Sequence, residues 1–448
     1  GIYACGPTVY NYFHIGNARP FIVFDVLRRY LEHLGYEVTF VQNFTDIDDK
    51  MINRANEEGI TVAELAGRFI EEYHKDADAL GIRRPSVTPL ATEHIPEIVS
   101  LIRKILDNGH AYLSDGDVYF DVRSWPEYGK LSRQSPDELS AGARVEPGER
   151  KRDPLDFALW KAQKPGEPAW DSPWGRGRPG WHIECSAMSS KYLGETIDIH
   201  SGGVDLTFPH HENEVAQSEA ATGKPFVRFW LHNGFLLIDK EKMSKSLGNF
   251  MTARAARQKY PPLAIRLFML SSHYRSPINF APQGLEQAEN GVARLRNCRA
   301  DLEFARAHRV GEADVAPFLE ALKKLDTDFI EAMNDDFNTA AAIGVLFEMV
   351  RLINTWLKDH ELLPADFYEA ACSELDKIDD ILGVIGDPDL PGSSEGPSEA
   401  EIEELIALRA EARKAKDFAR SDAIRDDLLK RGVVLEDTPQ GVRWKRQS

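Results

Sequence analysis

Apolar residues at the start of the chain form an unbroken run and then recur at helical spacing. Residues 2–4 are all apolar, as in a buried strand, and Gly6 with Pro7 ends the run. After Gly16 the apolar positions follow the period of a helix: Phe21, Val23, Phe24, Val26 and Leu27. This pattern predicts a strand, a loop and a helix. In open α/β sheets such a unit binds ligands beyond the strand, and the helix N-terminus favours phosphate.

Strand and helix patterns alternate through the first half of the chain, with one interruption. Residues 36–41 predict a second strand, and the polar residues 43–50 that follow it would face the same crevice as the first loop. Helical patterns fill 61–109. Residues 111–180 instead alternate apolar and polar positions among Gly and Pro turns, which predicts a β-rich insertion that splits the nucleotide-binding fold. The fold resumes with a short strand at 197–200.

The second half of the chain is predicted to be helical. Apolar residues recur at helical spacing in four segments, which predicts an antiparallel bundle: 285–308, 315–333, 339–357 and 366–382. A linker rich in Pro, Gly and Ser follows, and the end of the chain predicts two helices and a small hairpin. On periodicity alone, the bundle could serve any kind of interaction.

These elements together predict an α/β fold. It is a Rossmann-like doubly wound parallel sheet split by a connective insertion, followed by an α-helical bundle and a small C-terminal α+β domain. The expected segments are the first half of the sheet, the insertion, the second half of the sheet, the bundle, the linker and the C-terminal domain, at residues 1–110, 111–180, 181–250, 251–385, 386–400 and 401–448.

Composition narrows the possible classes of protein. The 448 residues carry a net charge of −18, which is unusual for a nucleic-acid binder, but residues 405–448 hold eleven Lys and Arg against seven Asp and Glu. No apolar run is long enough to span a membrane, and the first residues lack the pattern of a secretory signal. Four scattered cysteines argue against a disulfide framework and for a reducing compartment. We therefore expect a cytoplasmic protein with no membrane association.

Two polar motifs stand beside predicted strands. His14-Ile15-Gly16-Asn17 opens the first helix, where it could bind phosphate or simply cap the helix. Lys242-Met243-Ser244-Lys245-Ser246 follows a strand-like segment and could hold a polyphosphate, although a lone pair of lysines three apart is more often a solvated basic turn.

Four residues offer donors of the kind that zinc prefers. His210 and Glu214 are four apart, so that both side chains would project from one helical face, and Cys5 and Cys185 could complete a tetrahedral set. Sequence spacing alone does not establish the set, because Cys185 could be a small buried hydrophobic residue and the other two a pair at a helix end.

Other polar and thiol residues have simpler explanations. Asp46, Asp48 and Asp49 could bind a metal or cap the next helix, and we favour the cap. Cys298 and Cys372 lie in Leu- and Ala-rich helical stretches and are expected in the core.

The two polar motifs occur together and in a familiar order. They resemble the HIGH and KMSKS motifs of class I aminoacyl-tRNA synthetases, and the sequences C-G-P-T-V-Y, N-F-T-D-I-D-D-K, W-H-I-E-C-S and F-P-H-H-E-N-E resemble the cysteinyl-tRNA synthetase family across nearly the whole chain. The resemblance implies an enzyme that activates L-cysteine with ATP and Mg²⁺ and transfers it to tRNA(Cys).

The resemblance also implies roles for particular residues. His14, Gly16, Asn17 and Lys245 would bind ATP, and His14, Asn17, Lys242 and Lys245 would act in catalysis. Asn17 departs from the family pattern, since it replaces the last histidine of HIGH and cannot carry a positive charge.

The remaining implied roles concern the amino acid. One Zn²⁺ per chain would be held by Cys5, Cys185, His210 and Glu214 and would select the substrate thiolate. Thr45, Trp181 and Asp205 would line the amino-acid pocket, although packing and capping explain Trp181 and Asp205 equally well.

The final segment resembles the anticodon-reading end of the family. Trp444, with cations beside it, is a candidate RNA contact, and a solvated charged tail is the alternative. Two other functions stay open: a ligase that joins activated cysteine to an amino sugar, and a non-catalytic zinc-containing RNA-binding protein. Residues 401–448 argue against the first, because such ligases lack this domain. We expect a monomer.

Overall fold

A computed structural model describes residues 1–135, 137, 151–238, 241–242, 250–386, 397–438 and 441–446. Its strands are β1 (Ile2–Ala4), β2 (Phe40–Gln42), β3 (Ala111–Ser114), β4 (Asp117–Phe120), β5 (Phe157–Ala162), β6 (Gly177–Pro179), β7 (Ile197–Gly203), β8 (Val227–Asn233), β9 (Leu236–Ile238), β10 (Glu241–Lys242), β11 (Ile278–Asn279), β12 (Val433–Thr438) and β13 (Gly441–Arg446). Its α-helices are Ile15–His33, Asp49–Glu58, Val62–Ala79, Ile95–Asp107, Trp181–Leu193, Glu212–Thr222, Ala253–Lys259, Pro262–Leu270, Pro282–His308, Ala316–Asn334, Thr339–Asp359, Ala365–Leu382, Glu399–Lys414 and Phe418–Lys430.

The chain divides into two compact units. The first comprises Gly1–Ala77, Ile82–Ala256 and Tyr274–Phe280, and the second comprises Asp78–Gly81, Arg257–His273 and Ala281–Ser448.

A parallel sheet in the order β2-β1-β7-β8 organises the first unit. Tyr3, in the middle of β1, pairs with Val41 on one side and with His200 on the other. Because all four strands run the same way, their carboxyl ends lie at one edge of the sheet. The predicted parallel α/β fold is thereby confirmed.

Two strand boundaries differ from the sequence prediction. The second strand begins at Phe40 and not at residue 36, since Tyr36 is exposed and outside the sheet. The strand expected at 197–200 continues to Gly203, because its parallel partner β8 pairs with it along that whole length.

The insertion is an antiparallel sheet in the order β3-β4-β5-β6. Its apolar face, which includes Val118, Phe120 and Trp160, packs in one core with residues of the helices Ile95–Asp107 and Trp181–Leu193. Polar bonds also join it to the parallel-sheet part. The hydroxyl of Tyr128 donates to Oδ1 of Asn213 at 2.6 Å. Apolar packing and buried hydrogen bonds thus join the insertion to the rest of the first unit.

A helical bundle makes up most of the second unit, as predicted. Its four longest helices are Pro282–His308, Ala316–Asn334, Thr339–Asp359 and Ala365–Leu382. Cys298 and Cys372 are buried in it as free thiols, which confirms their assignment to the core.

One of the bundle helices carries a long apolar stretch. Among the described residues, Thr339–Asp359 alone is long and apolar enough to cross a membrane. Its apolar side chains, however, are largely buried inside the unit, including Ile343, Leu346 and Ile353. Burial of this kind is what a core helix of a bundle requires.

The C-terminal segment forms the predicted α+β domain. Glu399–Lys414 and Phe418–Lys430 pack beside the antiparallel hairpin β12-β13 around Ile402, Leu428 and Val433. Trp444 lies partly buried against this small core, and its Nε1 donates to Oε1 of Glu403 at 3.0 Å.

Candidate active site and metal-ligating cluster

A glycine brings the ends of β1 and β2 together. Gly6 donates from its backbone N to Oδ1 of Asn43 at 3.0 Å. A Cβ atom on Gly6 would lie 1.5 Å from the carbonyl oxygen of Asn43, so only glycine fits this contact. Cys5, which precedes Gly6, is thereby placed at the shared edge of the sheet, with its backbone N bonded to the carbonyl of Ser201 at 3.2 Å.

The four predicted donors converge at this edge. One ligand atom each from Cys5, Cys185, His210 and Glu214 lie within 4.8 Å of one another. Nε2 of His210 is 3.0 Å from Oε1 of Glu214, and the thiol of Cys5 lies 3.7 Å from the same oxygen. Cys185, His210 and Glu214 are buried, while Cys5 is half-buried. The cluster therefore combines two thiols, an imidazole and a carboxylate in a protected position.

Further histidines surround the cluster and were missed by sequence reasoning. His200 and His211 form a second group of possible ligands with Cys5 and Glu214. Nε2 of His200 is 2.8 Å from Oε2 of Glu214, and Nε2 of His211 is 3.3 Å from Sγ of Cys5. The available signal was the number of histidines in β7, in β8 and in the turn Thr207–His211 between them.

His232 and His182 extend the cluster outward through contacts between imidazole rings. Nδ1 of His211 lies 2.7 Å from Nε2 of His232, and Nδ1 of His182 lies 2.8 Å from Nδ1 of His210. Burial lowers the pKa of His211 and of His182 well below the ordinary histidine value. Both rings are therefore neutral at neutral pH and can donate from one nitrogen while accepting at the other.

The pKa values of the side chains in the cluster are strongly shifted from their ordinary values. Burial alone would raise the pKa of Glu214, but the nearby His200 and His210 outweigh it and lower that pKa to about 2. Burial alone would lower the pKa of His210, and the charge of Glu214 instead raises it to about 10. A hydrogen bond from Cys5 lowers the pKa of Cys185 to about 6, whereas burial raises the pKa of Cys5. The cluster thus holds negative charge at neutral pH, as a cation site requires.

The aspartates after β2 have other partners. Asp48 caps the helix Asp49–Glu58, accepting from the backbone N of Met51 at 2.7 Å, which confirms the capping interpretation. Asp46 accepts from the backbone N of Thr92 at 3.1 Å and from its hydroxyl. Asp49 pairs with Lys161 at 2.9 Å and with Arg178 of the insertion.

The HIGH-like residues lie at the start of the first helix. His14 is the N-cap residue of Ile15–His33, and Gly16 and Asn17 follow in its first turn, both half-buried. This segment is joined to the residues after the KMSKS-like loop. The backbone N of Ile15 donates to the carbonyl of Met251 at 2.9 Å, and that of Ala253 donates to the carbonyl of Phe13 at 3.0 Å.

The KMSKS-like loop lies mostly outside the described residues. Lys242 ends β10, where it pairs with Leu237, and its backbone is described but its side chain is not. Lys245, with the rest of 243–249, lies outside the described residues.

The predicted amino-acid pocket residues differ in burial. Thr45 is buried, with its carbonyl bonded to the backbone N of Val9 at 3.2 Å. Trp181 is 45% exposed, and its ring centroid lies 4.5 Å from that of His210, so it stands beside the metal-ligating cluster. Asp205 is exposed in the turn after β7, and a Cβ on Gly203 would lie 2.5 Å from its Oδ1.

A cavity of about 910 Å³ opens beside Trp181 and His182. It lies between the insertion and the loops after β1 and β2. Its lining combines aromatic rings with charged groups of both signs, including Tyr119, Phe157, Lys151, Lys161 and Asp48.

Family comparisons agree with this architecture. The model of the tRNA synthetases class I (C) catalytic domain matches residues 1–290, the DALR domain model matches 328–386, and the model of the cysteinyl-tRNA ligase anticodon binding domain matches 397–444.

The fold is also that of solved synthetases. Mycobacterium tuberculosis methionyl-tRNA synthetase in complex with methionyl-adenylate superimposes with a TM-score of 0.60 at 16% identity, covering 90% of this chain and 93% of that one. LeuRS of Agrobacterium radiobacter K84 superimposes with a TM-score of 0.62 at 12% identity, covering 88% of this chain and 84% of that one. Fold and catalytic domain thus define a class I aminoacyl-tRNA synthetase.

Relatives of higher identity define the specific family. Cysteine–tRNA ligase of Caldicellulosiruptor saccharolyticus is 56% identical over 450 residues, and that of Clostridioides difficile is 52% identical over 448 residues. In both comparisons the match spans 99% of this chain and 95% of the relative. The chain belongs to the cysteine–tRNA ligase family.

Proposed function

We propose that this protein, a class I cysteine–tRNA ligase by its matches to full-length relatives, uses a resident Zn²⁺ to select the L-cysteine that it activates with ATP and transfers to the 3′-terminal ribose of tRNA(Cys). The observation that supports this most strongly is the convergence of Cys5, Cys185, His210 and Glu214 within 4.8 Å, at the sheet edge that also carries the start of the helix Ile15–His33.

The donor set fits zinc. Two thiols, one imidazole and one carboxylate are ligands that Zn²⁺ takes in four-coordinate sites, and the softness of the thiols disfavours Mg²⁺ and Ca²⁺. His200 bonds the second oxygen of Glu214 at 2.8 Å and so fixes the orientation of that carboxylate. When bound there, Zn²⁺ would supply an additional coordination position that a thiolate occupies far more readily than a hydroxyl.

The surrounding residues would orient the amino acid. Trp181 stands next to His210 with its ring half exposed, where it can close over a small side chain. Thr45 would form part of the wall of the amino-acid pocket, near the loop after β1. Asp205 is exposed and able to contact a substrate ammonium group. Selection by a buried ligand set would make hydrolytic correction unnecessary, since a missing thiol leaves the site's polar groups without a partner.

ATP would bind along the start of the first helix. His14 and the first-turn backbone groups at Gly16 and Asn17 lie at the helix N-terminus, which favours phosphate. The cysteine carboxylate would attack the α-phosphate, and pyrophosphate with its Mg²⁺ would leave. Lys242 and Lys245 would stabilise the negative charge that develops on the leaving group, so the protein contributes positioning and electrostatic stabilisation.

The cavity beside Trp181 would receive the 3′ end of the tRNA. Aromatic rings can stack on unpaired bases, and ammonium groups can contact phosphates. Burial lowers the pKa of Lys151, so a nearby phosphate would compensate a partly desolvated charge. The ribose hydroxyl would then attack the carbonyl carbon of the cysteinyl adenylate beside the metal-ligating cluster, forming the cysteinyl ester and releasing AMP.

Cysteine-dependent exchange of pyrophosphate into ATP tests the activation step, and charging of tRNA(Cys) tests the transfer step. We expect both reactions with zinc-loaded protein, loss of both after chelation, and recovery when Zn²⁺ returns. Serine should support neither reaction. The protein with Cys298 changed to Ala is the matched control, since that thiol is buried in the bundle and should leave the zinc content unchanged.

The same experiment separates the alternative functions. A cysteine ligase acting on an amino sugar would exchange pyrophosphate but fail to charge tRNA, and a non-catalytic RNA-binding protein would do neither. The match of residues 397–444 to the anticodon binding domain weighs against the amino-sugar ligase.

We also propose a cytoplasmic monomer. Four cysteines that are all free are in keeping with a reducing compartment. Light scattering of the purified protein measures its molar mass and so tests whether it is a monomer.

A further inference from the structure

A fully buried arginine links the helix that carries the HIGH-like residues to the turn that precedes the strands leading to Lys242. Arg19 belongs to the helix Ile15–His33, shortly after His14, and its side chain has no exposed surface. Nη1 of Arg19 donates to the carbonyl oxygens of Gly234 at 2.8 Å and of Phe235 at 3.1 Å. These two residues form the turn between β8 and β9, and β9 leads to β10 and Lys242.

The turn is also fixed from its other side. The backbone N of Gly234 donates to the carbonyl of Tyr274 at 2.7 Å, and a Cβ at Gly234 would lie 2.6 Å from the backbone of Ser276. The carbonyl of Phe235 accepts a second bond from the backbone N of Ile278 at 3.0 Å. Arg19 therefore ties to the first helix a turn that is also bonded to Tyr274 and Ile278.

The far end of the loop has its own connection to the same helix start. The segment after residue 249 is bonded to Phe13 and Ile15 through the backbone of Met251 and Ala253. Arg254 extends this connection by pairing with Asp76 at 3.1 Å and by placing its guanidinium carbon 4.4 Å from the ring centroid of Tyr12. Both ends of the KMSKS-like segment are thus attached to the segment that carries His14.

We propose that Arg19 is a positioning residue for the reaction with ATP: by holding the carbonyl groups of Gly234 and Phe235, it sets where the strand leading to Lys242 lies relative to His14. The inference rests on the proposed roles of Lys242 and Lys245. A rigid planar donor group fixes two carbonyl oxygens more closely than apolar packing does.

The test uses Arg19→Met and Arg19→Lys in the full chain, each made alone and together with K242A/K245A. Removing Arg19 leaves no orphaned acceptor, because the carbonyl of Gly234 keeps a bond from the Asn233 side chain at 3.1 Å and that of Phe235 keeps its bond from Ile278. We therefore expect both variants to fold and to retain zinc, as measured by circular dichroism and metal content.

Arg266→Met is the matched control. Arg266 is equally buried in the second unit and also donates to carbonyl oxygens, from Nε to Leu382 at 2.6 Å and from Nη1 to Gly81 at 3.1 Å. Its loss removes a buried guanidinium of the same kind whose hydrogen bonds hold carbonyl groups of the second unit.

We expect Arg19→Met to lower kcat for cysteine-dependent pyrophosphate exchange by about 10- to 100-fold, with KM for cysteine almost unchanged. Arg19→Lys should fall between this variant and the wild type. In the K242A/K245A background, Arg19→Met should have almost no further effect, because a residue that acts through the lysines has nothing left to position. Arg266→Met should change kcat by the same small factor in both backgrounds.

Two outcomes would overturn the inference, and they can be told apart. If K242A/K245A exchanges pyrophosphate at the wild-type rate, the proposed role of the lysines fails and the inference falls with it. If the lysine variant is impaired but Arg19→Met costs the same factor in both backgrounds, the inference alone is wrong and Arg19 is a structural residue.

Discussion

Nε2 of His210 lies 3.0 Å from Oε1 of Glu214, although the two residues do not share a regular helix. His210 belongs to the irregular turn Thr207–His211, and Glu214 lies in the first turn of Glu212–Thr222. The turn directs the imidazole back toward the helix, so that both side chains meet the thiols of Cys5 and Cys185. The metal-ligating cluster therefore depends on this local geometry as well as on the identity of the four residues.

Removal of the carboxylate should weaken metal binding. We expect Glu214→Gln to lower the affinity for Zn²⁺ by more than about 100-fold. Loss of a residue that only hydrogen-bonds to a metal ligand lowers the affinity by up to about 100-fold, and loss of a ligand itself should lower it further. Competition with a chromophoric chelator measures this. Glu219→Gln is the matched control: Glu219 lies on the same helix, but its Oε1 accepts from the backbone N of Phe226 at 3.1 Å, away from the cluster. Equal affinities in both variants would exclude Glu214 as a ligand.

Metal affinity should depend steeply on pH. Above the pKa of Cys185, about 6, and below that of His210, about 10, the metal-free cluster keeps protons on His210 and Cys5. Zinc must displace both, so the affinity should fall about 100-fold for each unit of decrease in pH near neutrality, and more steeply below pH 6 as Cys185 also becomes protonated. Chelator competition between pH 6 and 8 checks the slope. An affinity independent of pH would contradict the assigned protonation.

Close backbone approach at Gly6 should make that position intolerant of any side chain. The Cβ of Gly6→Ala would overlap the carbonyl oxygen of Asn43, at 1.5 Å, so the loop carrying Cys5 must shift. We expect a loss of about 1–3 kcal/mol of stability, seen as a lower melting temperature, together with reduced zinc content. Gly344→Ala is the control, because Gly344 lies within a helix with open space around it and should gain about 0.5–1 kcal/mol. A Gly6→Ala protein with wild-type melting temperature and metal content would refute the argument.

Lys151 should affect transfer to tRNA and not activation of cysteine. Lys151→Met should raise KM for tRNA(Cys) and reduce the logarithmic salt dependence of tRNA binding by about one, as expected for one lost phosphate contact. Pyrophosphate exchange should stay at the wild-type rate. Lys224→Met serves as the control, since Lys224 is exposed and pairs with Glu195 at the surface. Unchanged tRNA binding in Lys151→Met would separate this lysine from the path of the RNA.

Local patterns predicted much of this fold. The run of apolar residues at 2–4 and the helical spacing after Gly16 predicted the central strand and its helix, because both depend on periodicity along a short stretch. Tyr36 was wrongly placed in a strand, since alternation alone does not indicate where pairing with a neighbour begins.

The missed residues share a different cause. His200 in β7 contacts Glu214 in the helix Glu212–Thr222, 14 residues further along the chain, and Asp49 contacts Arg178 of the insertion across 129 residues. Neither relationship has any trace in local sequence spacing. The convergence of Cys5 and Cys185 is equally non-local. The residue types alone left it as one of several possibilities, and only the resemblance to a family favoured it.

In the proposed function, a metal held by Cys5, Cys185, His210 and Glu214 recognises the substrate thiolate. Cobalt in place of zinc makes this visible, because each thiolate bound to Co²⁺ adds charge-transfer absorption in the near ultraviolet. Cysteine added to the cobalt-substituted protein should increase that absorption, while serine, alanine and S-methylcysteine should leave it unchanged. Pyrophosphate exchange that proceeds with cysteine while the absorption stays constant would show that the metal does not bind the substrate thiolate.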